Sequence, residues 1–314
     1  MFEKFESVFD GKNAIFVRNI GNYSLKDTME CGQCFRYERV PREDGYDEYM
    51  TVVGNTLIRI AQNKSGELIF PNMTEEVFYS VAVPYFALER DLEEVKRDIV
   101  KNTDSDWLKC AAEFGCGIAI LKQDPWESLI SFIISQNNNI PRIRKIVREI
   151  SAEYGSNLSI ENDYNSCPLK LIDSVPSSDA CKKCGRCFTF PSAEAILKNP
   201  GGLLHSKPGF RFGYILDAAE KVSNKVVDLN EIEAKAAYEY TLESLKAIKG
   251  VGDKVASCVA LFGFANLEAF PIDVWMKRAI DTYFDGHLDH TALGKYAGIA
   301  QQYIFHYIRN ENKG

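Results

Sequence analysis

Residues 245–264, LKAIKGVGDKVASCVALFGF, place Gly-Val-Gly between two apolar segments with helical spacing. Gly250 can end the first helix, because glycine adopts the positive φ of a helix C-terminus without steric cost. Asp253 can cap the second helix, which puts Lys254 in its first turn. The pattern predicts a helical hairpin whose exposed N–H groups can bind a phosphate. An ordinary hairpin of a helical bundle is the alternative, whereas a nucleotide P-loop lacks its Gly-Lys-Ser/Thr.

The segments around this hairpin extend the helical pattern over much of the chain. From about residue 75 onward, apolar residues recur with helical spacing, as in PWESLISFIISQ and IPRIRKIVREISAEY. The first hundred residues instead carry β-branched and aromatic runs such as AIFVRNI and ELIF, separated by turn formers. The sequence therefore predicts an α+β fold, with an antiparallel sheet domain followed by a helical domain. We place these domains at residues 1–118 and 119–314, with an irregular Cys-containing insertion at about 155–190.

The composition, 46% hydrophobic and 26% charged residues, is typical of a globular protein. The N-terminal stretch has no apolar core of a signal peptide, and no later window suits a membrane span, so we expect a cytoplasmic protein. Nine cysteines without an export signal indicate reduced thiols or metal ligands. The net charge of −7 argues against a protein that coats nucleic acid indiscriminately. Residues 141–148 and 207–214 are nevertheless basic enough to form a local phosphate-binding face.

Lys254 is unusual because a nearly apolar helix follows it. The positive end of the helix dipole and the apolar surroundings both favour a neutral amine, which can act as a nucleophile. Asp273 begins a further helix in FPIDVWMKRAI, where a plain N-cap is the competing interpretation. A lysine amine beside a carboxylate suits Schiff-base formation at a sugar carbon, because the carboxylate stabilises the positive charge that develops on the sugar.

These segments resemble the helix-hairpin-helix and Gly/Pro-Asp signature of DNA glycosylases, specifically the 8-oxoguanine DNA glycosylase/lyase branch. The similarity extends to CGQCFRY (31–37), QDPWESLISFIISQNNNIPRI (123–143), FPSAEAI (190–196), GFRFGYI (209–215) and AQQYIF (300–305). It therefore covers most of the chain. The resemblance implies a TATA-binding-protein-like (TBP-like) sheet domain followed by a helix-hairpin-helix catalytic domain.

The resemblance also implies roles for individual residues around an extruded base. Lys254 is the nucleophile and Asp273 the supporting carboxylate. Cys258 and Phe305 match the residues on the two faces of the base, although each would otherwise be assigned to core packing. Gln301 matches the amide that reads the pairing edge of the base. The remaining base contacts are Gly32, whose carbonyl would accept the N7 proton that distinguishes 8-oxoguanine, and Pro271.

Other positions match residues that hold the DNA. Asn137 matches the residue that fills the space left by the extruded base, and Asn138 is a weaker DNA contact. Arg142 and Arg211 match the pair that reads the unpaired cytosine, although residues 141–145 alone would suggest a solvated helix face. Phe210 replaces a tyrosine wedge, keeping the aromatic ring and losing the hydroxyl. The hairpin glycines that hold the phosphates are Gly250 and Gly252.

The chain departs from the family pattern at two further places. Trp275 stands where some relatives carry a histidine near the DNA backbone, which puts that contact in doubt. Cysteines in the predicted insertion could close a structural zinc site, although their spacing is not the usual paired CxxC arrangement. Reduced thiols are the alternative. The candidate ligands are Cys167, Cys181, Cys184 and Cys187.

The sequence thus predicts a bifunctional, monomeric base-excision repair enzyme that acts on duplex DNA with 8-oxoguanine opposite cytosine. It would need no cofactor for catalysis and no membrane, and it would lie with the nucleoid of a prokaryote or in the nucleus of a eukaryote. One alternative is a glycosylase of the same fold for another lesion. A second is a non-catalytic DNA-binding module, which would need neither Lys254 nor Asp273. A third is a zinc-dependent interaction protein centred on residues 181–187.

Overall fold

The computed structural model describes residues 2–158 and 184–311. Their N-terminal part forms a six-stranded antiparallel sheet in the order β1-β2-β6-β5-β4-β3. The strands are β1 Glu3–Phe9, β2 Lys12–Arg18, β3 Tyr37–Val40, β4 Asp47–Val53, β5 Thr56–Gln62 and β6 Leu68–Pro71. Helix α1, Leu25–Glu30, lies between β2 and β3 in the chain. The sheet packs one face against a core that contains Tyr49, Ile58, Phe70 and Phe78.

A buried ion cluster stabilises the β4 side of the sheet. The Glu48 carboxylate on β4 is completely buried, and it accepts hydrogen bonds from Arg42 Nη1 at 2.9 Å and Arg59 Nε at 2.8 Å. A buried charge is stable only when partners replace the water that it loses. The two guanidinium groups meet that requirement.

Helices make up most of the remaining described chain. The longer ones are α2 Leu92–Lys101, α3 Asp106–Gly115, α4 Pro125–Ser135, α5 Ile140–Tyr154, α6 Ala193–Lys198, α7 Phe212–Ser223, α8 Leu229–Lys235, α9 Tyr238–Lys246, α10 Asp253–Gly263, α11 Val274–Tyr283 and α12 Ala297–Glu311. Short 3-10 turns cover Pro200–Ser206, Gly209–Arg211 and His290–Tyr296. Within the described residues, no helix combines the length and apolar character that crossing a membrane requires.

The segment after α3 joins the sheet to the helices. Gly117 O accepts a hydrogen bond from Ser24 N at 2.8 Å, while Gln123 N donates to Phe262 O of α10 at 2.9 Å. Arg36, just before β3, forms a bidentate ion pair with Glu127 of α4, with N–O distances of 2.7 and 2.8 Å. These contacts fix the residues between α1 and β3 against the helices, and that junction contains Gly32.

The predicted α+β architecture, a sheet followed by helices, is confirmed. The helical pattern over residues 75–100 is interrupted in the structure. A π-helical turn, Phe78–Ala82, separates Glu75–Val77 from Val83–Tyr85, and Ala87 has a φ of +51° before α2 begins. Pro84, which has no backbone N–H, lies in this interruption. The boundary between residues 118 and 119 remains a prediction, and most of the predicted insertion at 155–190 lies outside the described residues.

Candidate active site

The predicted hairpin consists of α9 and α10 joined by residues 247–252. Gly250 has the expected positive φ, +80°, but it does not end the first helix as predicted: α9 ends at Lys246 with Ala247 as its C-cap residue, and Gly250 lies within the turn. The predicted cap at Asp253 is wrong: Gly252 is the N-cap residue, and no side chain caps α10. Asp253 already lies within the helix, and its carboxylate pairs with Lys246 Nζ at 3.0 Å. The first turn of α10 is therefore left without a side-chain acceptor for its N–H groups.

Gly250→Ala is expected to lower the free energy of unfolding by about 3 kcal/mol. An alanine would be strained at this positive φ, and its Cβ would lie 2.3 Å from Tyr214 Cδ2. Gly252→Ala is the matched control, because Gly252 has a φ of −102° and no atom within 4 Å of its ideal Cβ position. We expect the control to cost at most about 1 kcal/mol. Urea denaturation measures both, and equal stability losses would contradict the prediction.

Lys254 lies in the first turn of α10 and is half-buried. Its Nζ is 3.5 Å from Ser135 Oγ at the end of α4 and 5.5 Å from the centre of the Phe132 ring. Within the described residues it forms no salt bridge. The contacts of the amine are thus a hydroxyl, an aromatic ring and the Cys258 thiol, and no carboxylate of the described residues forms an ion pair with it.

Asp273 combines a capping position with a place in the cavity. It is the N-cap residue of α11, and its Oδ1 accepts hydrogen bonds from Trp275 N at 3.0 Å and Met276 N at 2.9 Å. The plain N-cap interpretation therefore describes part of its role. Asp273 also lines the same cavity as Lys254. The helix start fixes the carboxylate at that cavity.

Two adjacent spaces share lining residues beside the hairpin: a recess of about 60 Å³ and a cleft of about 870 Å³. Lys254 and Asp273 line both spaces, and so do Gly32 and Phe305. These residues therefore lie at the boundary between recess and cleft. The structure brings together in the recess all the residues predicted to bind the base, together with the two predicted catalytic residues: Gly32, Cys258, Pro271, Gln301, Phe305, Lys254 and Asp273.

The polar groups of the recess favour a ligand that donates hydrogen bonds. Gln301 is only 5% exposed, and its Oε1 has no hydrogen-bond partner among the described residues. A buried acceptor without a donor costs about 1–3 kcal/mol. Burial raises the pKa of the Cys258 thiol, and the nearby Lys254 charge only partly opposes that change. The recess thus presents a neutral thiol and an amide oxygen that lacks a donor.

Three further residues line the recess and were missed by sequence reasoning: Phe132, Phe262 and Gln302. Phe132 and Phe262 stack with their ring centres 5.4 Å apart, between α4 and α10. Their apolar helical spacing predicted burial, and buried aromatic residues are usually core residues. Gln302 had no distinctive signal beyond its position next to Gln301.

The rim of the cleft contains only some of the predicted DNA contacts. Asn137, Asn138, Phe210 and Gly252 line the cleft. Asn138 is half-buried and donates from its side chain to Ile134 O at 3.0 Å. The predicted contacts that do not line the cleft are Arg142, Arg211 and Gly250. Trp275 also lines the cleft.

The two predicted arginines differ in exposure. Arg142, in the first turn of α5, is exposed, whereas Arg211 is 3% exposed. Arg211 donates to the backbone oxygens of Gln136, at 2.9 Å from Nε, and of Asn137, at 3.0 Å from Nη2. Asn137 has a φ of +46° and an exposed side chain. Arg211 therefore holds the loop that presents Asn137 to the cleft.

Phe210 forms an exposed aromatic surface at the rim. Its side chain is 55% exposed, and the Arg211 guanidinium lies 4.4 Å from the ring centre. An exposed aromatic ring on a cleft wall can stack against a nucleic-acid base. The ring is held from one side by the buried arginine.

The predicted zinc site has no support from the described residues. Cys184 is half-buried and accepts a hydrogen bond from Arg186 Nη1 at 3.4 Å, and Cys187 is buried. Cys167 and Cys181 lie outside the described residues. Across residues 2–158 and 184–311, no group of at least three His, Cys, Asp or Glu side chains is arranged to hold a metal ion.

Comparison with known proteins identifies similar sequences and structures. The family model for the N-terminal domain of 8-oxoguanine DNA glycosylase matches residues 15–129. A Saccharomyces cerevisiae N-glycosylase/DNA lyase is 28% identical over 85% of this chain and 69% of its own. The solved structure of MBOgg1 in complex with a low-affinity DNA ligand is 32% identical, with a TM-score of 0.82 and 99% of both chains covered.

A second solved structure is the Clostridium acetobutylicum 8-oxoguanine glycosylase/lyase in complex with double-stranded DNA containing cytosine opposite 8-oxoguanine. It is 31% identical, with a TM-score of 0.81, and the match covers 99% of this chain and 98% of that one. Both matches thus extend over nearly the whole of this chain.

Proposed function

This chain belongs to the 8-oxoguanine DNA glycosylase family, and from that premise we propose the reaction that takes place at its recess. The protein is a bifunctional DNA repair enzyme: it removes 8-oxoguanine opposite cytosine from duplex DNA and then nicks the strand as an abasic-site lyase. The observation that carries the assignment of roles is the position of Lys254 and Asp273 at the boundary between recess and cleft. An extruded base in the recess would bring its sugar to that boundary.

In the proposed first step, the Lys254 amine attacks C1′ of the damaged nucleotide. The N-glycosidic bond breaks, its electron pair leaves with the base, and the base takes up the proton that the amine loses. The Asp273 carboxylate stabilises the positive charge that develops on the sugar as this bond breaks. Lys254 suits this role because no ion pair holds its amine within the described residues.

Strand nicking then follows from the covalent intermediate. Opening of the sugar ring converts the lysine adduct to a Schiff base at C1′. Loss of a proton from C2′ breaks the C3′–O bond, so that the 3′ phosphate leaves and the strand is cut. Water finally hydrolyses the imine and frees Lys254. None of these steps needs a cofactor.

Recognition of the base is assigned to the other residues of the recess. Phe305 and Cys258 pack on its two faces, and a buried neutral thiol suits contact with an aromatic ring. Gln301 Oε1, which has no donor within the described residues, would accept a hydrogen bond from the pairing edge of the guanine. Pro271 contributes a rigid apolar wall. The Gly32 carbonyl would accept the N7 proton, which 8-oxoguanine has and guanine lacks.

The rim and hairpin residues are assigned to the duplex. Asn137 enters the space left by the extruded base, with Asn138 as a weaker contact, and Phe210 stacks beside the opposite base. Arg142 and Arg211 read the cytosine, while Arg211 also holds the Asn137 loop. The phosphates bind at the hairpin, at Gly250 and Gly252. Since the substrate is genomic DNA, we place the protein with the nucleoid of a prokaryote or in the nucleus of a eukaryote.

Borohydride trapping tests this function directly. The protein is incubated with a duplex that contains one 8-oxoguanine opposite cytosine, and borohydride reduces the imine to a stable adduct. We expect a covalent adduct with this duplex and none with undamaged DNA. Base release without an adduct would leave a glycosylase but exclude the lysine mechanism. Tight binding without base release or an adduct would instead support a non-catalytic DNA-binding module.

A further inference from the structure

We propose that Gln302 and Gln123 are positioning residues for the discrimination of 8-oxoguanine from guanine. Each side-chain amide holds one of the two carbonyls that flank Gly32, which leaves the Gly32 carbonyl as the unpaired acceptor of the turn. This inference rests on the proposed function, in which the Gly32 carbonyl accepts the N7 proton.

The three consecutive carbonyls of the turn have different environments. Cys31 O accepts a hydrogen bond from Gln302 Nε2 at 3.1 Å, and Gln33 O accepts one from Gln123 Nε2 at 2.8 Å. No donor among the described residues reaches Gly32 O. Gln302 is 2% exposed and Gln123 is 8% exposed. Two buried amides thus donate to the Cys31 and Gln33 carbonyls, and the Gly32 carbonyl between them remains available to a ligand.

The two amides come from different parts of the helical region. Gln302 lies on α12 beside Gln301, and Gln123 immediately precedes the cap of α4. The backbone N–H of Gln123 also donates to Phe262 O at the end of α10, at 2.9 Å. The turn is therefore tied to the helices that carry Lys254 and Gln301. These ties set the position of the Gly32 carbonyl relative to those residues.

The Gln33 side chain also fixes this turn, through hydrogen bonds to backbone groups of α1 and of the segment after α3. It is completely buried, and its Nε2 donates to Thr28 O and Ala119 O, both at 2.8 Å. Its Oε1 accepts from Leu121 N at 2.9 Å. Gly32 itself has a φ of +96°, which favours glycine. With its neighbours fixed on both sides, the Gly32 peptide has little freedom to rotate.

Fixing this peptide matters because one proton separates the substrate from its undamaged form. An acceptor that is already in place when the base arrives gains the full N7–H hydrogen bond with 8-oxoguanine. With guanine, the same carbonyl faces a lone pair and stays unpaired. A carbonyl free to rotate would lose part of this difference by turning toward another donor or water.

The test uses the full-length protein and two single-turnover reactions on matched duplexes. One reaction is excision of 8-oxoguanine opposite cytosine, and the other is nicking at a preformed abasic site opposite cytosine. Nicking requires Lys254 but no base in the recess. We expect Gln302→Met and Gln123→Met, which keep side-chain length and remove the donor, to slow excision roughly tenfold while nicking changes less than about twofold. Tyr303→Phe is the matched control.

The control is buried on the same helix as Gln302, and its hydroxyl has no partner among the described residues. It should leave both rates unchanged. Equal loss of excision and nicking in the Gln variants would overturn the inference, since a general structural defect would explain it. A loss in Gln302→Met alone would also overturn it, by indicating direct contact with the base. A wild-type protein that nicks abasic sites but releases no 8-oxoguanine would overturn the proposed function itself.

Discussion

Lys254→Gln is expected to abolish borohydride trapping and to slow release of 8-oxoguanine by at least about 10³-fold, whereas the variant still binds the lesion duplex. The amine supplies the nucleophile, and a glutamine amide cannot replace it. The fold should tolerate the change, because Lys254 Nζ makes only weak or neutral contacts among the described residues: the 3.5 Å approach to Ser135 Oγ, the ring of Phe132 and the Cys258 thiol. Single-turnover excision and a gel assay of the trapped adduct measure the effect.

Two other lysines make this prediction specific. Lys246 lies in the same hairpin and pairs with Asp253 at the surface, so Lys246→Gln should trap as much DNA as the wild type. Lys277 lines the cleft but not the recess. If Lys254→Gln still formed as much adduct as the wild type, and peptide analysis mapped that adduct to Lys277, then Lys277 and not Lys254 would be the nucleophile. If Lys254→Gln lost both DNA binding and trapping, Lys254 would instead serve to bind a DNA phosphate.

The helices that could be predicted from sequence are those with a continuous apolar stripe. The segment IPRIRKIVREISAEY matches α5 at both ends, Ile140–Tyr154, because Asn139 supplies its cap and apolar residues recur on one face. Strand β1, Glu3–Phe9, was missed. Most of its side chains are at least partly exposed, and pairing with β2 rather than burial makes it a strand. Pairing partners are tertiary information that local patterns lack.

Within the site, spacing predicted only the contacts that belong to one helix. Cys258 follows Lys254 by four residues and Phe305 follows Gln301 by four, so each pair shares a helix face. Nothing in the local sequence brings Gly32 to these helices, and the family resemblance supplied that position. The physical connection is the set of amide hydrogen bonds around the Gly32 turn. Long-range contacts of this kind depend on the whole packed chain.

The predicted cap at Asp253 fails for a local reason. The N-cap residue needs an extended conformation, and Gly252 adopts it with φ −102° and ψ −174°. The helix therefore begins at Asp253, one residue beyond the predicted cap. Lys254 remains in the first turn of α10.

Asp273→Asn separates the two roles of that residue. Asparagine caps a helix almost as well as aspartate, so the free energy of unfolding should change by less than about 0.5 kcal/mol. The negative charge is lost at the same time, and without it the sugar cation is less stabilised. We expect excision of 8-oxoguanine to fall by about 10²- to 10³-fold, measured in single turnover. Asp273→Ala should show the same loss of excision and about 1 kcal/mol of additional destabilisation.

Asp228 provides a closely matched control. It is also half-buried at a helix start, and its Oδ1 accepts from Asn230 N at 3.0 Å and Glu231 N at 3.2 Å, as Asp273 accepts from α11. It lines neither recess nor cleft. Asp228→Asn removes the same favourable charge from a helix N-terminus, so any general effect of that loss appears in both variants. If excision falls in Asp273→Asn but not in Asp228→Asn, the loss reports the effect of the Asp273 carboxylate on the sugar. If Asp273→Asn retains excision, Asp273 serves only as a helix cap.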